Sequence, residues 1–359
     1  MSYEQGGVVK PAAFDGQKYT LGFAGVGTLN SALVAGFCKA YSSGSPLVGE
    51  NRSSTSTTTS TRCNVKFPLY LSPRGRQHVG SLAKEFGPTC IAACASTQEV
   101  FDACDVFLVG VRPPQISDLL KDLDFAGKIH RQKRTILVNL LSTVKNYQLK
   151  EHIVERIRVA PKNEEEDPQA RLEKHIEIVK AVPLPPARHL RGCTVVAVGS
   201  KDSCTAAESL VVGLFESVGH VTTCVETELP VFQAITGMMG PFYQQLHWLE
   251  SFMADVGGVE RREATRYLTA FFRSILTDID VGDKDANDHD KEKAIKTGRG
   301  DDHDAASTSA GTSSLMALTA SQTKGGINEQ AMKLLREKYN HREGVDATMQ
   351  VLLERLHAA

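Results

Sequence analysis

Apolar and polar positions along this chain follow two periods, and the order in which they alternate predicts the architecture. Within residues 18–37 an apolar run (Tyr19, Leu21, Phe23, Val26) passes directly into helical spacing. CNVKFPLYLS reads as a second strand, and Val79, Leu82, Ala83 and Phe86 mark a helix after it. A short strand around Cys90–Ala93 and a helix near Gln98–Ala103 follow. DVFLVGVRP is apolar on both faces, as in a strand inside a parallel sheet. ISDLLKDL (helix), RTILVNLL (strand), KNYQLKEHIVERI (helix), IEIVKAVPLPP (strand, stopped by prolines), CTVVAVGS (strand), SCTAAESLVVGLFESVG (helix) and HVTTCVE (strand) continue the alternation. From Glu228 onward only the helical period remains. FYQQLHWLESFMADVGG repeats apolar residues at Leu246, Leu249, Phe252, Met253 and Val256, and REATRYLTAFFRSIL at Ala264, Leu268, Phe271, Phe272 and Ile275. NEQAMKLLREKY and DATMQVLLERLH complete the set. The expected fold is α/β, a Rossmann-type doubly wound sheet over 17–226 followed by an all-helical domain over 227–359.

Three stretches break the pattern: 42–62 (SSGSPLVGENRSSTSTTTSTR), 161–171 (PKNEEEDPQAR) and 282–313, dense in charge and small polar residues. None has apolar residues enough to bury, so each is expected to be a solvated insertion. The Asp/His-rich part of the third (Asp288, His289, Asp290, Asp301, Asp302, His303) lacks a rigid frame for a metal, and no metal site is expected.

Composition narrows the class. The 359 residues suffice for one large or two ordinary domains, and 41% hydrophobic with 23% charged residues is ordinary globular usage. A net charge of -1 argues against general nucleic-acid binding. No apolar run reaches membrane-span length, and MSYEQGGVVKPAAFDG shows no secretory pattern, so a cytoplasmic protein without membrane partners is expected. The eight cysteines (Cys38, Cys63, Cys90, Cys94, Cys104, Cys193, Cys204, Cys224) are scattered and read as reduced thiols.

The candidate chemistry starts in the first strand-to-helix turn. Gly25 and Gly27 form a G-x-G where glycine permits a sharp exit from a strand and lets a pyrophosphate approach bare backbone. Thr28 could add a hydroxyl donor, and the helix that opens there favours bound phosphate. The third position of the fingerprint is Asn30 rather than Gly or Ala, with Ala32 two residues on. After the second strand, where an acidic residue would serve an NAD ribose, stand Leu71-Ser72-Pro73-Arg74-Gly75-Arg76. A hydroxyl and two guanidiniums suit a 2′-phosphate, so NADP(H) is expected over NAD(H), with a solvated basic turn as the alternative. Near the C-terminus Gly325-Gly326 and Asn328, a good N-cap before Glu329, offer backbone N–H groups to a carboxylate, to which Lys324 could add charge; a plain turn is the alternative. No histidine or cysteine arrangement is required: His220 and His247 are expected in packed or surface roles.

GFAGVGTLNSALVAGF, DVFLVGVRPPQI, IEIVKAVPLPP, LFESVGHVTTCVETEL, AITGMMGPFY and TKGGIN stand in the order and approximate spacing of the pyrroline-5-carboxylate reductases, and the chain resembles a divergent member of that family. The resemblance implies reduction of a cyclic imino acid, 1-pyrroline-5-carboxylate to proline, with NAD(P)H, and a helical domain that interleaves with a second copy in a homodimer or higher oligomer. By position it assigns Gly25, Val26, Gly27, Thr28 and Leu29 to the pyrophosphate and Ser72 and Arg74 to the adenosine phosphate. Val111, Arg112 and Pro113 take the place of a Val-Lys-Pro turn beside the cofactor. Gly240 and the loop Thr323, Lys324, Gly325, Gly326, Ile327 and Asn328 fall to the substrate. Tyr243 and Asn328 are the catalytic candidates, Tyr243 as a proton donor. Departures lie at Val182–Pro186, where Leu184 replaces a polar residue, at Gly237–Tyr243, with Met238 and Met239, and at Asn328. They leave open a reductase of another imine or a carbonyl, or a non-catalytic NADP-binding sensor or scaffold.

Overall fold

The computed structural model describes residues 18–42, 64–131, 134–159, 167–200, 203–277, 333–334, 337–338 and 340–357. Eight strands form one sheet in the order β3-β2-β1-β4-β5-β6-β7-β8. They are β1 (Lys18–Ala24), β2 (Asn64–Leu71), β3 (Ile91–Ala93), β4 (Val106–Val109), β5 (Thr135–Asn139), β6 (Ile176–Pro183), β7 (Gly192–Val198) and β8 (Gly219–Val225). The first six are mutually parallel, β7 runs antiparallel to β6, and β8 is parallel to β7. The chain winds from β1 outward to β3 and then returns to place β4 on the other side of β1, so the winding reverses between β1 and β4. In an open parallel sheet that reversal parts the loops and leaves a crevice at the carboxyl ends of the strands.

The crossovers are α1 (Thr28–Ser42), α2 (Arg76–Phe86), α3 (Thr97–Ala103), α4 (Ile116–Lys121), α5 (Phe125–His130), α6 (Asn146–Val159), α7 (Pro168–His175) and α8 (Ala206–Glu216). They cover both faces of the sheet, which is why DVFLVGV carries no polar face: Val106, Phe107, Leu108 and Val109 are all fully buried. Phe23, Phe37 and Phe215 pack in series on one side, with ring centroids 6.2 and 6.1 Å apart. Phe101 packs edge-on between Phe107 and Phe125 on the other, at 5.0 and 5.1 Å.

Two elements differ from the pattern-based expectation. Residues 161–171, expected as loop throughout, contain the start of α7. Asp167 accepts the Ala170 N–H, Pro168 opens the helix, and Leu172 is buried. Here an N-cap and a proline at the first helical position outweigh polar composition. The short α5, which has no clear periodicity, is set instead by the Asp124 cap on Gly127 and by burial of Phe125 and Ile129. The stretches 43–62 and 282–313 lie outside the described residues.

Contacts divide the chain into two units, 1–233 with 355–359, and 234–354. The division falls inside α9 (Leu229–Gly237), whose Leu229 is buried with Val195, Ala197 and Cys224. The second unit holds α10 (Met239–Ser251), a π-helical turn over Phe252–Val256, α11 over 261–277, and most of α12 (His341–His357). Phe272 meets Phe242 and Phe271 edge-on at 5.6 and 5.3 Å. Ala264 and Leu268 are buried, but Trp248, Phe252 and Val256 are 61%, 63% and 73% exposed. No helix of the described residues is long and apolar enough to cross a membrane.

Candidate functional site

Three loops meet at the carboxyl ends of β1, β2 and β4. β1 ends at Ala24, and Gly25 turns the chain with φ +78°, a left-handed conformation that glycine adopts without strain. A Cβ there would lie 2.6 Å from Val111 Cγ1, so the β4 loop closes against bare backbone. The Gly25 N–H donates to Ser72 Oγ (3.0 Å) and the Val26 N–H to Arg74 O (3.1 Å), which fastens the β2 loop to the same turn. Gly75, with φ +95°, completes that approach: a Cβ would fall 2.0 Å from Val26 O.

Asn30 does what a third glycine does in other turns of this kind, by different means. It is buried, and its Nδ2 donates to Ala24 O (3.2 Å) and Gly25 O (2.9 Å), so α1 holds the end of β1 directly. Its amide also sits against Gly110, where a Cβ would come within 2.5 Å of Nδ2.

Gly27 and Thr28 face outward from this packed base. No atom lies within 4 Å of a Cβ placed on Gly27, so the turn opens on free space. The first N–H of α1 to bond backward is that of Ser31, to Gly27 O at 2.9 Å; those of Thr28, Leu29 and Asn30 precede the ladder. Donors at a helix start, in front of an open glycine, fit the pyrophosphate of a dinucleotide. On the β2 side Arg74 and Arg76 are exposed, and Arg74 Nη2 lies 3.3 Å from Asp122 Oδ2. The residues present therefore fit a dinucleotide.

Two expected site residues, Ser72 and Val26, have polar groups engaged inside the turn, and the others are placed as follows. Ser72, expected to meet the adenosine phosphate, is fully buried and its hydroxyl is engaged by Gly25. Val26 is core, and its N–H is taken by Arg74 O. Leu29 is half-buried and packs on the same core. Val111 is 9% exposed and serves as the wall against Gly25. Arg112 is exposed, and Pro113 begins a 3-10 turn in which the Gln115 N–H donates to Arg112 O at 2.8 Å. In the second unit Gly240 is exposed with open space at its Cβ position, and Tyr243 is exposed on α10. Lys324, Gly325, Gly326, Ile327 and Asn328 lie outside the described residues. His247 is an exposed residue 3.7 Å from Glu250, and His220 an exposed one 3.2 Å from Thr222 Oγ1. Burial pushes the Cys38 and Cys94 thiols up to about 12 and about 11, so neither supplies a thiolate near neutral pH.

Sequence reasoning passed over a second polar cluster, at the carboxyl end of β5 and the middle of β6. Asn139 and Lys180 are register partners there, both buried, and both hydrogen-bond to the loop between β5 and α6. The available signal was a single lysine inside the apolar run IEIVKAVP.

No family model and no curated protein matches the chain. Solved structures do. The pyrroline-5-carboxylate reductase of Streptococcus pyogenes aligns with a TM-score of 0.58 at 14% identity, over 95% of this chain and 99% of that one. The pyrroline carboxylate reductase of Plasmodium falciparum, solved with NADP bound, aligns with a TM-score of 0.60 at 16% identity, over 95% and 97%. The pyrroline-5-carboxylate reductase of Coxiella burnetii gives 0.58 at 16%, over 95% and 98%. The chain shares the fold of these proteins over about 95% of its length.

Proposed function

We propose that the protein is an NADPH-dependent reductase of a cyclic imino acid, converting 1-pyrroline-5-carboxylate to proline. The observation that carries the cofactor half is the open Gly27 turn at the start of α1, flanked by Arg74 and Arg76 where an NAD site would present a carboxylate. The likeness in fold to reductases acting on this imine, and the ordered motifs of the sequence, support the substrate half.

When bound, the reduced nicotinamide supplies hydride to the imine carbon. The protein's own share is orientation and charge. The α1 N-terminus and Thr28 receive the pyrophosphate, and Arg74 and Arg76 grip the 2′-phosphate. The Gly325-Gly326 backbone and Asn328 hold the substrate carboxylate, Lys324 adds positive charge, and Tyr243 delivers a proton to the imine nitrogen. A second copy of the chain covers the exposed aromatic face of the helical unit.

The test is NADPH oxidation with pyrroline-5-carboxylate, read together with proline formation. Turnover is expected, and a compound lacking the carboxylate is expected to be a much poorer substrate. Gly326→Val should raise KM or abolish turnover while NADPH binding persists, because the phosphates sit at the other glycine turn. NADPH binding with no turnover of any imine or carbonyl would sink the enzymatic reading in favour of a sensor. Unchanged kinetics in Gly326→Val would move the carboxylate site elsewhere.

A further inference from the structure

Lys180 is a cation placed where a hydrophobic residue would fit more cheaply. It is 1% exposed on β6, and its Nζ donates to Leu141 O and to Val144 O, the latter at 2.7 Å. Burial pushes the ammonium down to about 7, offset in part by the Glu226 carboxylate. Burying a charge without a hydrogen-bonded counter-ion costs several kcal/mol unless polar groups compensate.

The compensation is directed at one short loop. Asn139 Nδ2 donates to the same Val144 O (2.9 Å), and Asn139 Oδ1 accepts the Leu141 N–H (3.1 Å). From α9, Gln233 Nε2 donates to Ser142 O (2.7 Å). Side chains of three separate elements, β5, β6 and α9, thus hold the carbonyls of Leu141, Ser142 and Val144.

That loop lies beside the crevice. Val109 at the end of β4 and Asn139 at the end of β5 are register partners, and the Leu140 N–H still donates to Val109 O. The loop over 141–145 therefore leaves the sheet beside the end of β4, where the Gly110 loop begins. With the 2′-phosphate on the β2 side and the pyrophosphate at α1, the remaining half of a dinucleotide crosses to the far side of β1, over the ends of β4 and β5.

We propose that Lys180 is a positioning residue which, with Asn139 and Gln233, fixes the backbone of Leu141–Val144 as the platform for the nicotinamide half of the cofactor. This rests on the cofactor reading above.

The test separates the two halves of the ligand. The full-length protein and Lys180→Met are titrated with NADPH, followed by nicotinamide fluorescence, and with adenosine 2′,5′-bisphosphate, followed by calorimetry. The bisphosphate should bind both proteins within about twofold, while Lys180→Met loses roughly tenfold or more in NADPH affinity and the emission of the bound nicotinamide moves toward that of free NADPH. Gln233→Leu loosens the same loop without touching the lysine, and should give the same split to a smaller degree even if Lys180→Met does not fold. Equal losses for both ligands, or no loss for either in both variants, would overturn the proposal. Wild-type protein that binds neither ligand would instead remove the cofactor reading, and this inference with it.

Discussion

The two units dispose of their apolar side chains in opposite ways. In the sheet unit Phe23, Phe37, Phe101, Phe107 and Phe215 are fully buried. In the helical unit Trp248, Leu249, Phe252, Tyr267 and Phe271 are all more than 40% exposed. The first unit closes its own core and, among the described residues, leaves a glycine turn and basic side chains open at the crevice. In the second, among the described residues nothing covers the exposed aromatic face, and apolar patches of this kind are ordinarily covered. The difference separates the nucleotide binding we assign to a single chain from the assembly we assign to two.

The largest effect expected from this contrast is on assembly. Wild-type protein at about micromolar concentration should scatter light as a dimer or larger, and the double variant Trp248→Glu/Phe252→Glu as a monomer, because each aromatic withdrawn from cover forfeits roughly 1.5–3 kcal/mol. A monomeric wild type would erase the distinction between the units.

Next come the two glycines of the first turn. Gly27→Val should leave the melting temperature unchanged, since its Cβ meets open space, and should cost at least tenfold in NADPH affinity, or about 1.4 kcal/mol. Gly25→Ala should act on folding instead, at roughly 1–3 kcal/mol, because φ +78° and Val111 both oppose a side chain. Thermal melts beside fluorescence titrations would separate them. A large loss of stability in Gly27→Val would mean that its open face is structural.

Lys180 sharpens the comparison through pH. Its folded-state pKa, about 7, lies below the ordinary 10.5, so between those values the unfolded chain holds a proton that the folded chain lacks. Stability of the sheet unit should therefore rise with pH across that window, by up to ~1.4 kcal/mol per unit; below it both states are protonated and the cost of burying the charge is fully present. Denaturant unfolding at several alkaline pH values should show the rise in wild type and its loss in Lys180→Met.

The smallest effects lie at the exposed pair. Arg74→Ala should erode the preference for NADPH over NADH, and Asp122→Asn should sharpen it by a few tenths of a kcal/mol, since Asp122 competes for Arg74 across a solvated 3.3 Å contact. Equal affinities for the two cofactors in wild type would sink this reading.

Much of the sheet unit is legible in the sequence because period and composition agree there. The apolar run of β4 and the Gly25-Val26-Gly27 turn both stand where the pattern places them. What pattern cannot show is the direction in which a side chain is spent. Ser72 reads as a ligand for phosphate, yet it caps the Gly25 N–H from inside. Asn30 reads as a lapse in the fingerprint, yet it ties α1 to β1. Lys180 is invisible to hydrophobic periodicity because its partners are backbone carbonyls, which every residue possesses. Polar composition also concealed the start of α7, where one cap and one proline decide the matter.

The crossover geometry bears on how this chain tolerates change. α1 leaves the crevice and ends at Ser42, and β2 begins at Asn64 at the end of the sheet remote from the Gly25–Gly27 turn; α6 ends at Val159 on that same side, ahead of α7. The described residues that flank both polar stretches thus lie on the side of the sheet opposite the crevice. Closing a longer loop costs little entropy. These two stretches can therefore change in length at small cost to the fold, while the short connections at the crevice are held by close-approach glycines and the buried Asn30 amide.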